Sequence, residues 1–209
     1  LNGSFKESAM RLLHVDSSIL GSQSASRELT AGIVEAERRR HPGVVVVNRD
    51  LAADPLQHLS GAHLAAAFGK AELPESLRSD AALGASDLEV FLAADVIVLG
   101  APMYNFTVPT QLKAWIDRLA VKGKTFNYGA DGPEGLCVGK KMIIASTRGG
   151  AYGAGSPAAF LDHQETYLRG VFNFFGVTDI TFVRAEGLNM TDNRGKSIEN
   201  AKAQIAALV

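Results

Sequence analysis

Arg11-Leu12-Leu13-His14-Val15, followed at once by Asp16-Ser17-Ser18-Ile19-Leu20-Gly21-Ser22-Gln23-Ser24-Ala25-Ser26-Arg27, reads as a short apolar strand that empties into a hydroxyl-rich loop opening a helix. The first N–H groups of a helix have no intrahelical partner and carry the positive end of its dipole. Serine hydroxyls beside them add donors and acceptors, so the junction suits a phosphate monoester without a cationic side chain. The same residues admit a plainer reading, in which Ser24 or Ser26 is only the N-cap of a helix running to about Arg40. Two commoner phosphate signatures are missing from the chain: no stretch reads G-x-x-x-x-G-K-[ST], and no G-x-G-x-x-G follows a strand. A P-loop NTPase and an ordinary dinucleotide fold both lose support.

Outward from this junction, strand-like apolar runs recur at 11–15, 44–48, 95–100, 141–146 and 180–184, with helix-sized segments between them. Val96-Ile97-Val98-Leu99 and Met142-Ile143-Ile144-Ala145 are continuous rather than alternating, the habit of parallel strands covered on both faces. The expected fold is α/β, a doubly wound five-stranded parallel sheet with helices on both faces. The helix after Ser24 carries Leu29, Ile33 and Val34 and closes on Arg38-Arg39-Arg40-His41 before Pro42-Gly43, a solvated cationic last turn and a stop. Pro109 stands where a first turn tolerates it, and Leu112, Trp115, Ile116 and Leu119 follow at helical spacing. Residues 53–85 hold a helix-like Ala62 to Gly69 and a polar stretch around Glu72 to Ser79, and read as an excursion over the sheet edge. Gly123 to Gly139 combines Phe126 and Tyr128 with Gly129, Asp131-Gly132-Pro133 and Gly135, a turn-rich flap of a length that tends to be functional.

With 209 residues, 46% hydrophobic and 21% charged, the chain suits a single soluble domain over 10–209. Residues 1–9 precede Met10 and read as a remnant of expression cloning. A net charge of −1 leaves no footprint for nucleic acid or an anionic membrane, so the expected partner is a small molecule. The apolar runs fall far short of the ~18–20 residues of a transmembrane helix. Cys137 is the only cysteine, which excludes an internal disulfide and fits a cytoplasmic location. His14, His41, His58, His63 and His163 show no metal-ligand spacing, and there is no G-x-S-x-G elbow. No metal is expected, and no side chain is assigned as catalytic.

In an open doubly wound sheet, ligands bind beyond the carboxyl ends of the strands, where the strand order reverses. Three unusual loops follow such ends here. Beside the serine loop lie Ala101-Pro102-Met103-Tyr104-Asn105-Phe106-Thr107-Val108-Pro109, and Thr147-Arg148-Gly149-Gly150-Ala151-Tyr152-Gly153-Ala154-Gly155. The first of these is apolar and aromatic where a solvent-facing connection is usually polar, which suits the face of a flat heterocycle whose edge atoms meet backbone amides and Asn105. Its plainer reading is a loop whose aromatics tuck into the core. The glycine-rich loop allows close backbone approach and offers free N–H groups. Together the loops outline FMN: a phosphate at one end, a flat ring at the other, a backbone-rich rim beside it.

The residues also resemble the FMN-dependent NADH-azoreductases, which belong with the flavodoxin-like quinone reductases. The resemblance spans 11–209 through Ser17-Ser18-Ile19-Leu20, Ala101-Pro102-Met103-Tyr104-Asn105-Phe106, Gln111-Leu112-Lys113, Gly132-Pro133-Glu134-Gly135-Leu136, Arg148-Gly149-Gly150 and Ala185-Glu186-Gly187. It implies that Ser18 and Ser24-Ala25-Ser26 hold the FMN phosphate, that Pro102 and Met103-Tyr104-Asn105-Phe106 line the isoalloxazine, and that Thr147-Arg148-Gly149-Gly150 contact its far edge. The chain departs from a common form of the family in Ala25, where a polar residue stands, and in Thr147, where Ser stands. The resemblance further implies a homodimer with Tyr128 and Phe174 as walls of the acceptor pocket. The reaction it implies is ping-pong transfer of hydride from NADH, or as second choice NADPH, through FMN to quinones or aromatic azo compounds. Two other readings compete: a flavodoxin-type single-electron carrier, and a flavin-free phosphate-binding hydrolase or signalling domain. The near-neutral charge and the long flap stand against the carrier, since such proteins are markedly acidic.

Overall fold

The computed structural model describes residues 9–190 and 193–208. The segment read as a cloning remnant lies outside them, except for Ala9. Five strands, β1 (Arg11–Asp16), β2 (Val45–Asp50), β3 (Val96–Pro102), β6 (Lys141–Thr147) and β7 (Asp179–Ala185), form one sheet in the order β2-β1-β3-β6-β7. All neighbouring pairs are parallel. β1 is followed in sequence by its neighbour on one side and later by its neighbour on the other, so the order reverses between β1 and β3, at the loop that carries the serines.

The helices α1 (Ala25–Arg40), α2 (Gly61–Ala67), α3 (Glu75–Ala93), α4 (Thr110–Leu119), α5 (Gln164–Phe174) and α6 (Arg194–Ala206) cover both faces. The pleat sorts the apolar strand residues between them. Leu13, Val15, Ile97, Leu99, Met142 and Ile144 face α3, α4 and α5, where Phe91, Trp115 and Phe172 complete the core. Leu12, Val96, Val98, Ile143 and Ala145 face α1 and α6, against Leu29, Ile33 and Ile205. β3 is buried along its whole length, which explains its uninterrupted apolarity. Each buried Val, Leu, Ile, Met or Phe among these contributes about 1.5–3 kcal/mol by leaving water.

Two segments differ from the sequence reading. The polar stretch near Glu72 belongs in part to a 19-residue helix, α3, whose Leu88 and Phe91 are core residues. The flap is a hairpin of β4 (Phe126–Gly129) and β5 (Gly132–Gly135), paired antiparallel. Its ladder continues through Leu136 N–H to Thr125 O (2.9 Å), and it docks on the domain through Cys137 N–H to Phe175 O (2.8 Å). A Cβ at Gly135 would collide with the backbone of Phe175 and Gly176, so only glycine permits this docking. Among the described residues, no helix is long and apolar enough to cross a membrane.

Candidate cofactor site

The register of the sheet aligns the strand ends that feed the three loops. Asp16 of β1 lies opposite Gly100 of β3, and Pro102 of β3 opposite Thr147 of β6. A Cβ at Gly100 would lie 2.9 Å from Asp16 Oδ1 and 3.2 Å from Thr30 Cγ2, so the missing side chain lets α1 settle onto the strand ends.

Ser24 caps α1: its Oγ accepts from Arg27 N–H (3.3 Å) and lies 3.0 Å from Ser26 Oγ. The first intrahelical bond here runs from Glu28 N–H to Ser24 O, which leaves the N–H groups of Ala25 and Ser26 pointing out of the helix without an acceptor among the described residues. The N-cap reading of Ser24 therefore holds, and it leaves room for an anion, because the cap orders the turn while the donors beside it stay free. Ser18 is buried, and its Oγ lies 3.2 Å from Tyr104 Oη.

The second loop folds back on itself at once. Tyr104 and Thr107 exchange backbone hydrogen bonds (2.9 and 3.2 Å) around a two-residue turn in which Asn105 (φ 47°) and Phe106 (φ 72°) are both left-handed. That conformation suits Asn but strains Phe, and strain of about 1–3 kcal/mol per such residue collects where function requires the geometry. The turn lifts the Asn105 and Phe106 N–H groups clear of any backbone acceptor among the described residues. Phe106 stays 40% exposed, with its ring edge-to-face on Tyr152.

The third loop is held from below. The Arg148 guanidinium is 1% exposed and meets Gln164 Oε1 (3.0 Å), Asp162 Oδ2 (2.8 Å), Glu165 Oε1 (2.8 Å) and Glu186 Oε1 (3.0 Å). With its fork saturated, and its own N–H donated to Ala185 O, Arg148 sets the loop rather than offering a free cation. Gly149 and Gly150 accept from Asn189 and Gly187 through their carbonyls, while their N–H groups have no acceptor among the described residues.

One cleft brings these parts together. It is bounded by Ser18, Ser24 and Ala25, by Pro102, Met103 and Tyr104, and by Thr147, Arg148 and Gly149. Ser26 lies buried behind Ser24, while Asn105, Phe106 and Gly150 continue the loops beyond the lining residues. Tyr128 and Phe174 stand apart from the cleft on the hairpin side. Tyr128 is 60% exposed and packs edge-to-face on Phe126, whose ring in turn lies tilted against Phe174 with centroids 4.6 Å apart. Sequence reasoning missed Leu20, Gln23, Leu188, Asn189 and Arg194, which also line the cleft. Among the described residues there is no group of His, Cys, Asp and Glu fit to hold a metal ion. Free N–H pairs at one end, buried hydroxyls beside them and a rim of backbone donors along an apolar wall fit a phosphate-bearing flat heterocycle.

A doubly wound sheet with its ligand loops gathered at the β1/β3 reversal defines the flavodoxin-like class. A family model described as a flavodoxin-like fold matches residues 10–209. The FMN-dependent NADH:quinone oxidoreductase of Sinorhizobium fredii is 57% identical over 198 residues, covering 94% of this chain and 96% of that relative. FMN-dependent NADH:quinone oxidoreductase 2 of Bradyrhizobium diazoefficiens is 55% identical over 193 residues, covering 92% and 95%. Among solved structures, an azoreductase from Bacillus anthracis superimposes with a TM-score of 0.86 at 31% identity, covering 95% of this chain and 98% of that one. The chain belongs to this flavodoxin-like family, in which FMN-dependent NADH:quinone oxidoreductases and azoreductases are its relatives.

Proposed function

We propose that the chain is an FMN-dependent NADH:quinone oxidoreductase that also accepts aromatic azo compounds. The observation that carries this reading is the single cleft in which free N–H groups, buried serines and an apolar wall meet. The N–H groups of Ala25 and Ser26 and the hydroxyls of Ser18 and Ser24 would hold the FMN phosphate. Pro102, Met103, Tyr104 and Phe106 would border the ring, with donors from Asn105, Phe106, Gly149 and Gly150 along its edge. Thr147 and Arg148 shape that edge from behind. FMN held by these residues would supply the redox chemistry that links NADH, with NADPH the less favoured donor, to a two-electron acceptor. The protein's own task is to orient the ring and keep water from it, which suits a cleft assigned no catalytic side chain.

Tyr128 and Phe174 would wall the acceptor pocket, completed by a second copy of the chain in a homodimer. An exposed aromatic packed on two further rings supports this, because such a surface is suited to a flat acceptor. Quinones are the natural acceptors in this reading, since azo dyes are not ordinary metabolites. The test is steady-state NADH oxidation by the FMN-loaded chain with menadione and no partner protein. Turnover with hydroquinone formation is expected. Electron transfer only in the presence of a protein partner would favour the single-electron carrier, and a chain that binds no FMN would favour the flavin-free domain.

A further inference from the structure

We propose that Arg27 is a positioning residue that sets both halves of the phosphate cradle at once, with Asp50 as its fixed support. This rests on reading the α1 N-terminus as the FMN phosphate site. The two hydroxyls assigned to that site, Ser18 and Ser24, lie on different turns of the serine loop, and one residue reaches both. The Arg27 N–H donates to Ser24 Oγ at 3.3 Å, and its guanidinium donates to Ser18 O at 2.9 Å. The same guanidinium forks onto Asp50, Nη1 to Oδ2 at 2.7 Å and Nη2 to Oδ1 at 2.8 Å, and lies 3.5 Å from Asp16 Oδ2.

Asp50 is itself anchored. It ends β2, and its Oδ1 accepts from the N–H groups of Ala52 and Ala53 at 3.0 and 3.2 Å, so the fork is referred to the sheet rather than to a swinging side chain. The Arg27 guanidinium holds the Asp50 carboxyl below its ordinary range, consistent with a pair formed in the folded chain. Arg27, Asp50, Ser18 and Ser24 also share the wall of an open cleft of about 800 Å³ on the outer side of the loop. No other residue joins the loop after β1 to β2 by side chain among the described hydrogen bonds. Without the fork, the Ser18 carbonyl loses its donor and its tie to β2, and the contacts of its hydroxyl with Tyr104 and Leu20 N–H are left to hold the Ser18 peptide.

Equilibrium binding of FMN and of riboflavin to the full chain tests this, because only FMN carries the phosphate. In Arg27→Met the preference for FMN over riboflavin should fall roughly tenfold or more, with riboflavin affinity within about twofold of wild type, since charge-assisted contacts are lost only at the phosphate end. The ³¹P resonance of bound FMN should move toward that of free FMN. Arg27→Lys, which keeps the charge without the fork, should restore part of the preference. Asp50→Asn, which leaves the arginine in place, should shift it in the same direction and serves if Arg27→Met does not fold. Equal loss of both flavins in the variants would make the pair a general scaffold, and an unchanged preference would make it a bystander; either overturns the proposal. A wild-type chain with no preference for FMN would overturn the cradle itself, a result distinct from both.

Discussion

Tyr104 Oη lies 3.2 Å from Ser18 Oγ, a side-chain bridge between the loops that follow β1 and β3. The same oxygen accepts from Ile19 N–H at 3.3 Å. The bridge crosses the point where the strand order reverses, so the phosphate end and the ring end of the proposed site are held in one frame. Tyr104→Phe removes both bonds and leaves the ring. With neutral hydrogen bonds worth about 0.5–1.5 kcal/mol each, FMN affinity should fall roughly fivefold to a hundredfold. Fluorescence titration measures this, and unchanged affinity would show that the two loops are ordered independently.

The left-handed turn makes Asn105 sensitive in a way that separates backbone from side chain. Asn105→Gly keeps the conformation at no steric cost and removes only the amide, so the fold should persist while flavin affinity or potential shifts. Asn105→Leu adds strain of about 1–2 kcal/mol for an L-residue in this region and should also lower thermal stability. Thermal melts with and without FMN distinguish the two. Equal melts for the Gly and Leu variants would contradict the strained turn.

β3 was legible because burial on both faces demands an unbroken apolar run, and the three loops were legible because aromatic or glycine-rich chemistry at a strand end is unusual. α3 was not, and its buried charges explain why. Asp80 is turned inward to meet His63 (3.1 Å) and Arg118, and Asp87 to meet Arg49 (2.8 Å), so the helical face that packs on the core carries carboxylates and breaks the apolar period. The partners lie far away in sequence, where no local pattern can signal them. Arg27 was hidden in the same way, since its meaning depends on Asp50. Leu188, Asn189 and Arg194 follow β7 in a segment of ordinary composition, and only the folded register brings them to the cleft. The hairpin β4–β5 was obscured by Gly129, Gly132 and Gly135, residues that weaken any strand signal.

Arg148→Met should be among the most damaging substitutions in the chain. It leaves Asp162 and Glu186 without their guanidinium and Glu165 with Arg184 alone, at a position where Arg148 is fully buried. Breaking such a buried network by removing one partner costs about 3–5 kcal/mol. Denaturant unfolding of the flavin-free chain gives the cost directly. A change within experimental error would mean that the network reorganises or hydrates.

Cys137 lies buried behind the hairpin, and desolvation pushes its thiol pKa up despite nearby Lys140. The folded chain should therefore resist thiol reagents at mildly alkaline pH and react fully once unfolded. Because the folded value is raised, the stability linked to this thiol is complete below the ordinary thiol range and is lost as pH rises through and beyond it. Cys137→Ala should flatten that alkaline decline in the melting temperature. Rapid labelling of the native chain would show that the hairpin opens readily.

Anaerobic titration of the FMN-loaded chain tests the central claim most directly. One equivalent of NADH should bleach the visible flavin band completely, and one equivalent of a quinone should then restore it, in the same sample and without a second protein. A band that NADH leaves intact, or that returns only when a protein acceptor is added, would contradict the proposed oxidoreductase.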